Sequence, residues 1–521
     1  MKESKQNSPF PCNYYLIGAS YCKLINKKYN MTLNTRFKKS WSFTLLTLSF
    51  TLLIVTSSFA QKKPPKNYLR TNFSKKEILK DIDYIQLALN IHPSLYDYTS
   101  KQELDSKFTR AINQVQDSMS RRDVYNLLAP IIASIKDGHT NLHIPIDYYY
   151  SHKRHGGTFF PYDIFIKDNR TYVLDSKDIP KGSEIIGINN KSAKDILNKL
   201  LQNRGALLKP YKYASIERFY PRLLFSTFNM KDQFIIKYVD INTKEIKSIN
   251  VKGNYKYTVK DAFSFKVIKN DIGYLEINSL YVRGWNELKE MDVKIDKLFD
   301  SINKKGIKNL IIDIRDNDGG SDMMADLFLK HLTQKPYSFI KKQITYHLSR
   351  KGRQFYRKER RSIVNTLFFP LYPFFSWERE IYFGRKDIVK MEYIKDKKPK
   401  AVKDSLMFKG KVYAVFNTNT FSSANELANT LKCYNIAETY GTETGCPIIQ
   451  SGELQRIYTP NVLLNLTVSK KKFWYPSSES IKDIKNNHGV IPQNIIADDP
   501  LNFKNDKDPV IKGILKRIES I

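Results

Sequence analysis

An α/β layered fold is predicted by three features of the sequence. From Asp271 onward, short apolar runs alternate with helical patterns. Two of the runs, Leu310-Ile311-Ile312 and Val412-Tyr413-Ala414-Val415-Phe416, are uninterrupted, as expected of strands covered on both faces. Each leads through a tight polar turn into a helix. The first turn is Asp316-Asn317-Asp318-Gly319-Gly320, ahead of a helix over 323–332; the second is Thr420-Phe421-Ser422-Ser423, ahead of a helix over 424–431. A Gly-Gly step lets backbone N–H groups converge on an anion with no side chain in the way. A serine at a strand-to-helix junction projects its hydroxyl beside helix N-terminal donors. One turn can supply an oxyanion hole and the other a nucleophile, which together make the skeleton of acyl transfer.

At 521 residues the chain is long enough for roughly three domains. Residues 1–60 read as an export signal. Arg36, Lys38 and Lys39 form a basic region, 41–55 is apolar and uncharged, and Ser58-Phe59-Ala60 fits a small-x-small cleavage site. Gln61 is then the first mature residue and Met31 an alternative start; an uncleaved anchor is the competing reading, although the apolar run is short for a span. A Pro/Lys linker covers 62–66, and a helical domain takes up 61–145. Its three helices open on Ser74/Glu77, Ser100/Glu103 and Ser120/Asp123, each a serine with an acid three residues on. Helical spacing follows in Ile78, Ile82, Ile85, Leu89, then Leu104, Phe108, Ala111, Val115, then Val124, Leu128, Ile131, Ile135. The third helix is expected to run to Asp137-Gly138, after which His139-Thr140-Asn141-Leu142-His143-Ile144 alternates like a strand.

Short strands dominate 150–260, where Ile179-Pro180-Lys181-Gly182-Ser183-Glu184-Ile185-Ile186-Gly187-Ile188-Asn189 resembles the Gly-turn, strand and Asn-turn of PDZ modules. The α/β core is assigned to 265–521, interrupted by a basic, aromatic insertion over 337–404 near the active-site face. The formal charge is +34, dense around Lys351-Gly352-Arg353 and Arg357-Lys358-Glu359-Arg360-Arg361. Such a surface suits an anionic membrane face in peripheral contact, or plain solvation. No nucleic-acid motif accompanies it and an export signal argues against that partner. Beyond the signal only Cys433 and Cys446 remain, free to pair or to stay as thiols.

A serine nucleophile needs a base. No lysine occurs between Cys433 and Ser469, which leaves the eight histidines. His139 is singled out because the turn at Asp137-Gly138 can aim it. A shared metal on His139 and His143 is disfavoured, since four residues along one strand separate their Cα atoms by about 13 Å. No metal and no cofactor are expected.

With these residues in view, the sequence resembles the carboxy-terminal processing, or tail-specific, serine peptidase family. The resemblance rests on Asn317-Asp318-Gly319-Gly320, Phe421-Ser422-Ser423-Ala424-Asn425-Glu426, Gly441-Thr442-Glu443-Thr444-Gly445 and Gly489-Val490-Ile491-Pro492. Asp137-Gly138-His139-Thr140 places it nearer the tricorn and retinoid-binding-protein-like branch. The resemblance implies a ClpP/crotonase-like catalytic core behind the helical domain and a PDZ-like β-rich module. It implies an exported, periplasmic or cell-envelope serine endopeptidase working on proteins or peptides through a Ser-His acyl-enzyme mechanism. Ser423 falls on the nucleophile, with Ser422 its competitor; His139 falls on the base, and Gly320 (or Gly319) and Ala424 on the oxyanion donors. Asn486-Asn487-His488 and Gln493 replace acidic positions of the branch, leaving Glu443 and Glu479 as candidates to orient the base. The alternative is a non-catalytic binding protein on the same fold, holding a hydrophobic ligand or peptide tail. The oligomeric state is left open.

Overall fold

The computed structural model describes residues 70–254, 260–359, 376–497 and 508–520. The expected signal peptide, the Gln61 start and the linker lie outside the described residues, as does the stretch of the insertion carrying Phe368-Phe369-Pro370 and Phe374-Phe375.

The chain opens on β1 (Asn72–Phe73), α1 (Lys75–Leu89), α2 (Lys101–Gln114), β2 (Met119–Ser120) and α3 (Arg121–Ala133). Ser74 and Ser120 close reciprocal capping boxes with Glu77 and Asp123. Ser100 caps only through the N–H of Glu103, because the Glu103 carboxylate is drawn to Lys107 at 2.6 Å. α3 stops at Ala133, short of the expected Asp137-Gly138, and Lys136 takes a left-handed φ of 61° to turn the chain. β3 (Asn141–His143) and α4 (Ile146–Arg154) follow.

The PDZ-like module comprises β4 (Asp163–Lys167), β5 (Arg170–Asp175), β6 (Glu184–Ile188), β7 (Lys191–Ser192), α5 (Ala193–Gln202), α6 (Lys209–Phe228), β8 (Gln233–Val239) and β9 (Ile246–Lys252). Its sheet runs β4-β5-β6-β8-β9 with β7 paired to β6. Asn189, the expected Asn-turn, sits at φ 54° and its side chain accepts the N–H of Ile235.

The α/β core begins with β10 (Phe263–Lys269), β11 (Ile272–Ile277), α7 (Trp285–Lys304), β12 (Asn309–Asp313) and α8 (Asp322–Leu329). The insertion contributes β13 (Lys342–Leu348), α9 (Arg350–Glu359), α10 (Ser376–Phe383) and β14 (Ile388–Tyr393). Then come β15 (Lys411–Phe416), α11 (Ser423–Cys433), β16 (Glu438–Gly441), β17 (Ile449–Tyr458), β18 (Asn465–Trp474), β19 (Asn494–Ile495) and α12 (Pro509–Glu519). Six strands order as β10-β11-β12-β15-β16-β19, parallel throughout except for antiparallel β10 at the edge. The uninterrupted apolar runs serve both faces by alternation. Leu310, Ile312, Ala414 and Phe416 pack with residues of α7, α8 and α11, whereas Ile311, Tyr413 and Val415 meet Val510 and Ile514 of α12.

A second sheet joins the helical region to the core. β17 and β18 form a long hairpin that leaves the core sheet. It buries Ile457, Leu464, Leu466 and Val468 among Ile82, Ile85, Leu128 and Ile132 of the N-terminal helices. β18 pairs with β3 on one stretch and with β13 on another. The helical region, the insertion and the carboxy-terminal half therefore share one sheet and one apolar cluster. Burying a Leu-sized side chain contributes about 1.5–3 kcal/mol, so these hairpin residues tie the helices down firmly.

Candidate active site

β12 and β15 are neighbours in parallel register, so their carboxyl ends open on the same edge of the sheet. Crevices outside such ends are where open α/β sheets place ligands. The turn after β12 is fixed by Asn317, fully buried, whose amide donates to Ile277 O at 2.8 Å and accepts the N–H of Gly319 at 2.8 Å. Gly319 has φ 92° and lies against the second turn. A Cβ there would stand 2.7 Å from Phe421 O, 2.8 Å from Ser423 N and 2.9 Å from the Ser422 Cβ. A Cβ on Gly320 would stand 2.2–2.3 Å from the Leu280 backbone. The Gly-Gly step is thus required by close backbone approach on both sides.

The turn after β15 is tied to the first by Phe421 N–H donating to Asn317 O at 2.9 Å and by the Thr420 hydroxyl donating to Ile314 O at 3.0 Å. Ser422 then adopts φ 56° and ψ −128° immediately before α11. That left-handed, elbow-like conformation is rare for a residue with a Cβ and is a form of backbone strain concentrated at functional positions. The Ser422 hydroxyl lies 3.1 Å from His139 Nε2. Ser423 differs. Its side chain is buried and its Oγ has no hydrogen-bond partner among the described residues. Ala424 N–H donates to Phe421 O at 3.2 Å, so it is spent within the turn. The N–H groups of Ser423 and Gly320 carry no such bond among the described residues. Relative to the sequence expectation, the structure brings Ser422 rather than Ser423 to His139, and leaves Ser423 rather than Ala424 with the open N–H. The one-residue shift follows from where α11 begins.

His139 is held by its surroundings. Its ring packs on Phe421 at 4.6 Å between centroids, and Phe421 stacks in turn on Tyr211 of α6 at 4.3 Å. Asp137, two residues earlier, was not among the sequence candidates, yet it organises this corner. It accepts the His139 N–H at 3.0 Å, the Thr140 hydroxyl at 2.6 Å, the Ser469 hydroxyl at 2.6 Å and His92 Nε2 at 3.0 Å. His92 Nδ1 accepts the Ser94 N–H at 3.0 Å, which puts the ring proton on Nε2, facing Asp137. Burial pushes the Asp137 carboxyl up, but the bonds from His139 and His92 outweigh it and hold the group well below the ordinary carboxylate range. The aspartate was legible next to His139; its partners His92, just past the end of α1, and Ser469 of β18 were not.

The other candidates lie elsewhere. Glu443 accepts the Gly489 N–H at 2.7 Å and braces the Gly-Val-Ile-Pro turn. Glu479 is exposed on a short helical turn. Neither is brought to His139. Asn487 bonds both backbone groups of Ile449, and Gln493 accepts the Thr439 N–H at 2.9 Å, so these departures serve as structural ties. Cys433 is an exposed free thiol; Cys446 is a buried one bonded to Gln450, with its pKa pushed well up by burial. Among the described residues no group of three or more His, Cys, Asp or Glu is placed to hold a metal.

Residues 271–495 match peptidase family S41. The chain carries an S41 serine peptidase domain. No curated protein matches the sequence. Three solved structures of CPAF are similar in fold. Mature CPAF has a TM-score of 0.54 at 15% identity over 81% of this chain and 92% of that one. Mature CPAF complexed with lactacystin gives 0.54 at 15% identity over 86% and 97%. A CPAF mutant gives 0.53 at 15% identity over 81% and 93%. At these identities the likeness bears on fold alone. It identifies the S41 peptidase fold with a PDZ-like β-module, in place of the ClpP/crotonase core expected from the sequence.

The S41 assignment also corrects the expected Ser-His mechanism, because peptidases of this family work with a serine–lysine dyad. The Ser422–His139 hydrogen bond therefore stands as a contact of the S41 site without an assigned proton transfer. Among the described residues no lysine is hydrogen-bonded to Ser422 or Ser423. A protein or peptide substrate is consistent with the peptidase family.

Proposed function

We propose that the protein is a serine endopeptidase that cleaves proteins or peptides, with Ser422 as nucleophile. The observation that carries this reading is the elbow conformation of Ser422 at the start of α11, between two turns in contact that leave the N–H groups of Ser423 and Gly320 without a partner among the described residues. As Ser422 Oγ adds to the scissile carbonyl carbon, negative charge develops on the carbonyl oxygen, where these fixed dipoles stabilise it. Each such donor is worth about 3–4 kcal/mol of barrier. Ser423, the nucleophile expected from the sequence, contributes its N–H in this proposal, and Ala424 contributes none. Incubation of purified protein with an unfolded protein substrate should yield internal fragments. Ser422→Ala should abolish them with the fold intact. Equal fragment yield from folded Ser422→Ala protein would rule the reading out.

The finer location belongs to the same proposal: export to the periplasm or cell envelope, by the basic, apolar and small-x-small order of residues 36–60. N-terminal sequencing of exported protein should find Gln61, and retention of Trp41 would contradict it. Peripheral contact with an anionic membrane face is proposed for the basic surface. On α9, Arg350, Lys351 and Lys358 are exposed, while Arg353 is buried and donates to Leu348 O and Lys386 O. Salt-sensitive co-sedimentation with anionic but not neutral vesicles supports this contact; sedimentation indifferent to lipid charge rejects it.

A further inference from the structure

A cavity lies at the junction of the helical region and the PDZ-like module. Its walls include Tyr125 of α3, His143 of β3, Tyr149 of α4, and Arg222, Phe225 and Ser226 of α6. Arg222 lines the cavity and is half-buried. Its guanidinium has no hydrogen bond or ion pair among the described residues, only the face of Phe219 at 4.9 Å. The charge around it is of one sign. Burial, and after it the charge of Arg204, push Arg222 below its usual range, and the groups that offset this are phenols: Tyr125, Tyr149 and Tyr150. Arg204 itself is buried and bonded to the Ser215 hydroxyl rather than to a carboxylate. Burial, and after it the charges of Arg204, Arg222 and Arg456, push His143 well below its ordinary range, so that ring is neutral.

A guanidinium that lines a cavity without an acidic partner among the described residues, beside a second cation, Arg204, bonded only to a hydroxyl, is an unfavourable arrangement when left to itself. The same arrangement is complementary to an anion. A guanidinium fork matches the two oxygens of a carboxylate or phosphate. The free space, about 20 Å³ for the centre of a water-sized sphere, suits a compact group and not a bulky one.

We propose that this cavity is a binding site for a compact oxyanion, a carboxylate or phosphate group, held by the Arg222 guanidinium. It is separate from the Ser422 site and does not depend on the peptidase reading. The test is thermal unfolding of the full chain titrated with inorganic phosphate, with acetate, and with a short peptide bearing either a free or an amidated carboxyl terminus. At least one oxyanion should raise the melting temperature to a plateau, because a ligand binding only the folded state stabilises it by mass action. Arg222→Gln should lose that saturable rise and, without ligand, melt no lower than the parent, since it removes a repelled cation. Arg222→Lys, which keeps the charge but not the fork, should respond more weakly than the parent. A response to phosphate alone assigns a free phosphate group, and one to the free but not the amidated peptide assigns a chain terminus. The proposal is overturned if no oxyanion gives a saturable rise, or if Arg222→Gln and Arg222→Lys rise as much as the parent, which would mark general screening of a basic protein.

Discussion

Gly319→Ala probes the contact between the two turns directly. The added Cβ would come to 2.7 Å from Phe421 O, 2.8 Å from Ser423 N and 2.9 Å from Ser422 Cβ, all on or beside the backbone of the second turn. None of these is the free end of a flexible side chain, so relief requires the turns to separate. Holding alanine at φ 92° costs about 1–3 kcal/mol, and forcing a methyl into packed backbone about 1–3 kcal/mol more. The expected loss of stability is therefore about 2–6 kcal/mol. Separation would also move the Ser423 N–H away from the developing oxyanion, and loss of one such donor lowers turnover by about 100- to 1,000-fold. Denaturant unfolding gives the first quantity and the rate of labelling by a fluorophosphonate gives the second. If Gly319→Ala is labelled at the parent rate and unfolds at the parent midpoint, the two turns are not in the contact described.

Three further outcomes follow from the structure. Ser423→Ala should be neutral or stabilising by about 1–3 kcal/mol and keep peptidase activity, since it removes a buried hydroxyl that has no partner; denaturant midpoints and cleavage rates check this. Glu426→Gln should flatten the pH dependence of stability. Burial, then the nearby Asp322, raises Glu426 from 4.5 to about 8, so the folded state holds this proton more tightly than the unfolded state. Its contribution is fully present below pH 4.5 and is lost as pH rises toward 8, a slope that unfolding at a series of pH values should find in the parent and not in the variant. Leu464→Ala should cost about 2–5 kcal/mol, with earlier hydrogen exchange in α1 and α3, because Leu464 is fully buried among those helices.

Local chemistry made much of this chain legible. The serine-acid pairs marked the starts of α1 and α3, and the buried runs marked β12 and β15, because capping and two-sided burial leave their signature within a few residues. The Gly-Gly turn was legible for the same reason. The hairpin of β17 and β18 was not: polar Gln450, Ser451, Thr467 and Ser469 are buried in it, which hides the alternation a half-covered strand would show. Its role in joining the helical region to the core depends on contacts more than 300 residues apart in sequence, such as Ser469 with Asp137. At the site, the choice between Ser422 and Ser423 turns on a single backbone conformation, φ 56° at the residue before α11, and adjacent serines give no compositional hint of it. The network of His92, Asp137 and Ser469 drew on three separate segments, and only Asp137 lay close enough to His139 to be suspected from sequence.

The central claim is that Ser422 is the reacting hydroxyl. Purified protein should be labelled with a fluorophosphonate, digested, and the adduct located by fragment-ion mass spectrometry. The adduct should sit on Ser422, be absent from Ser422→Ala and persist in Ser423→Ala. An adduct on Ser423, or labelling that survives in folded Ser422→Ala protein, would contradict the claim.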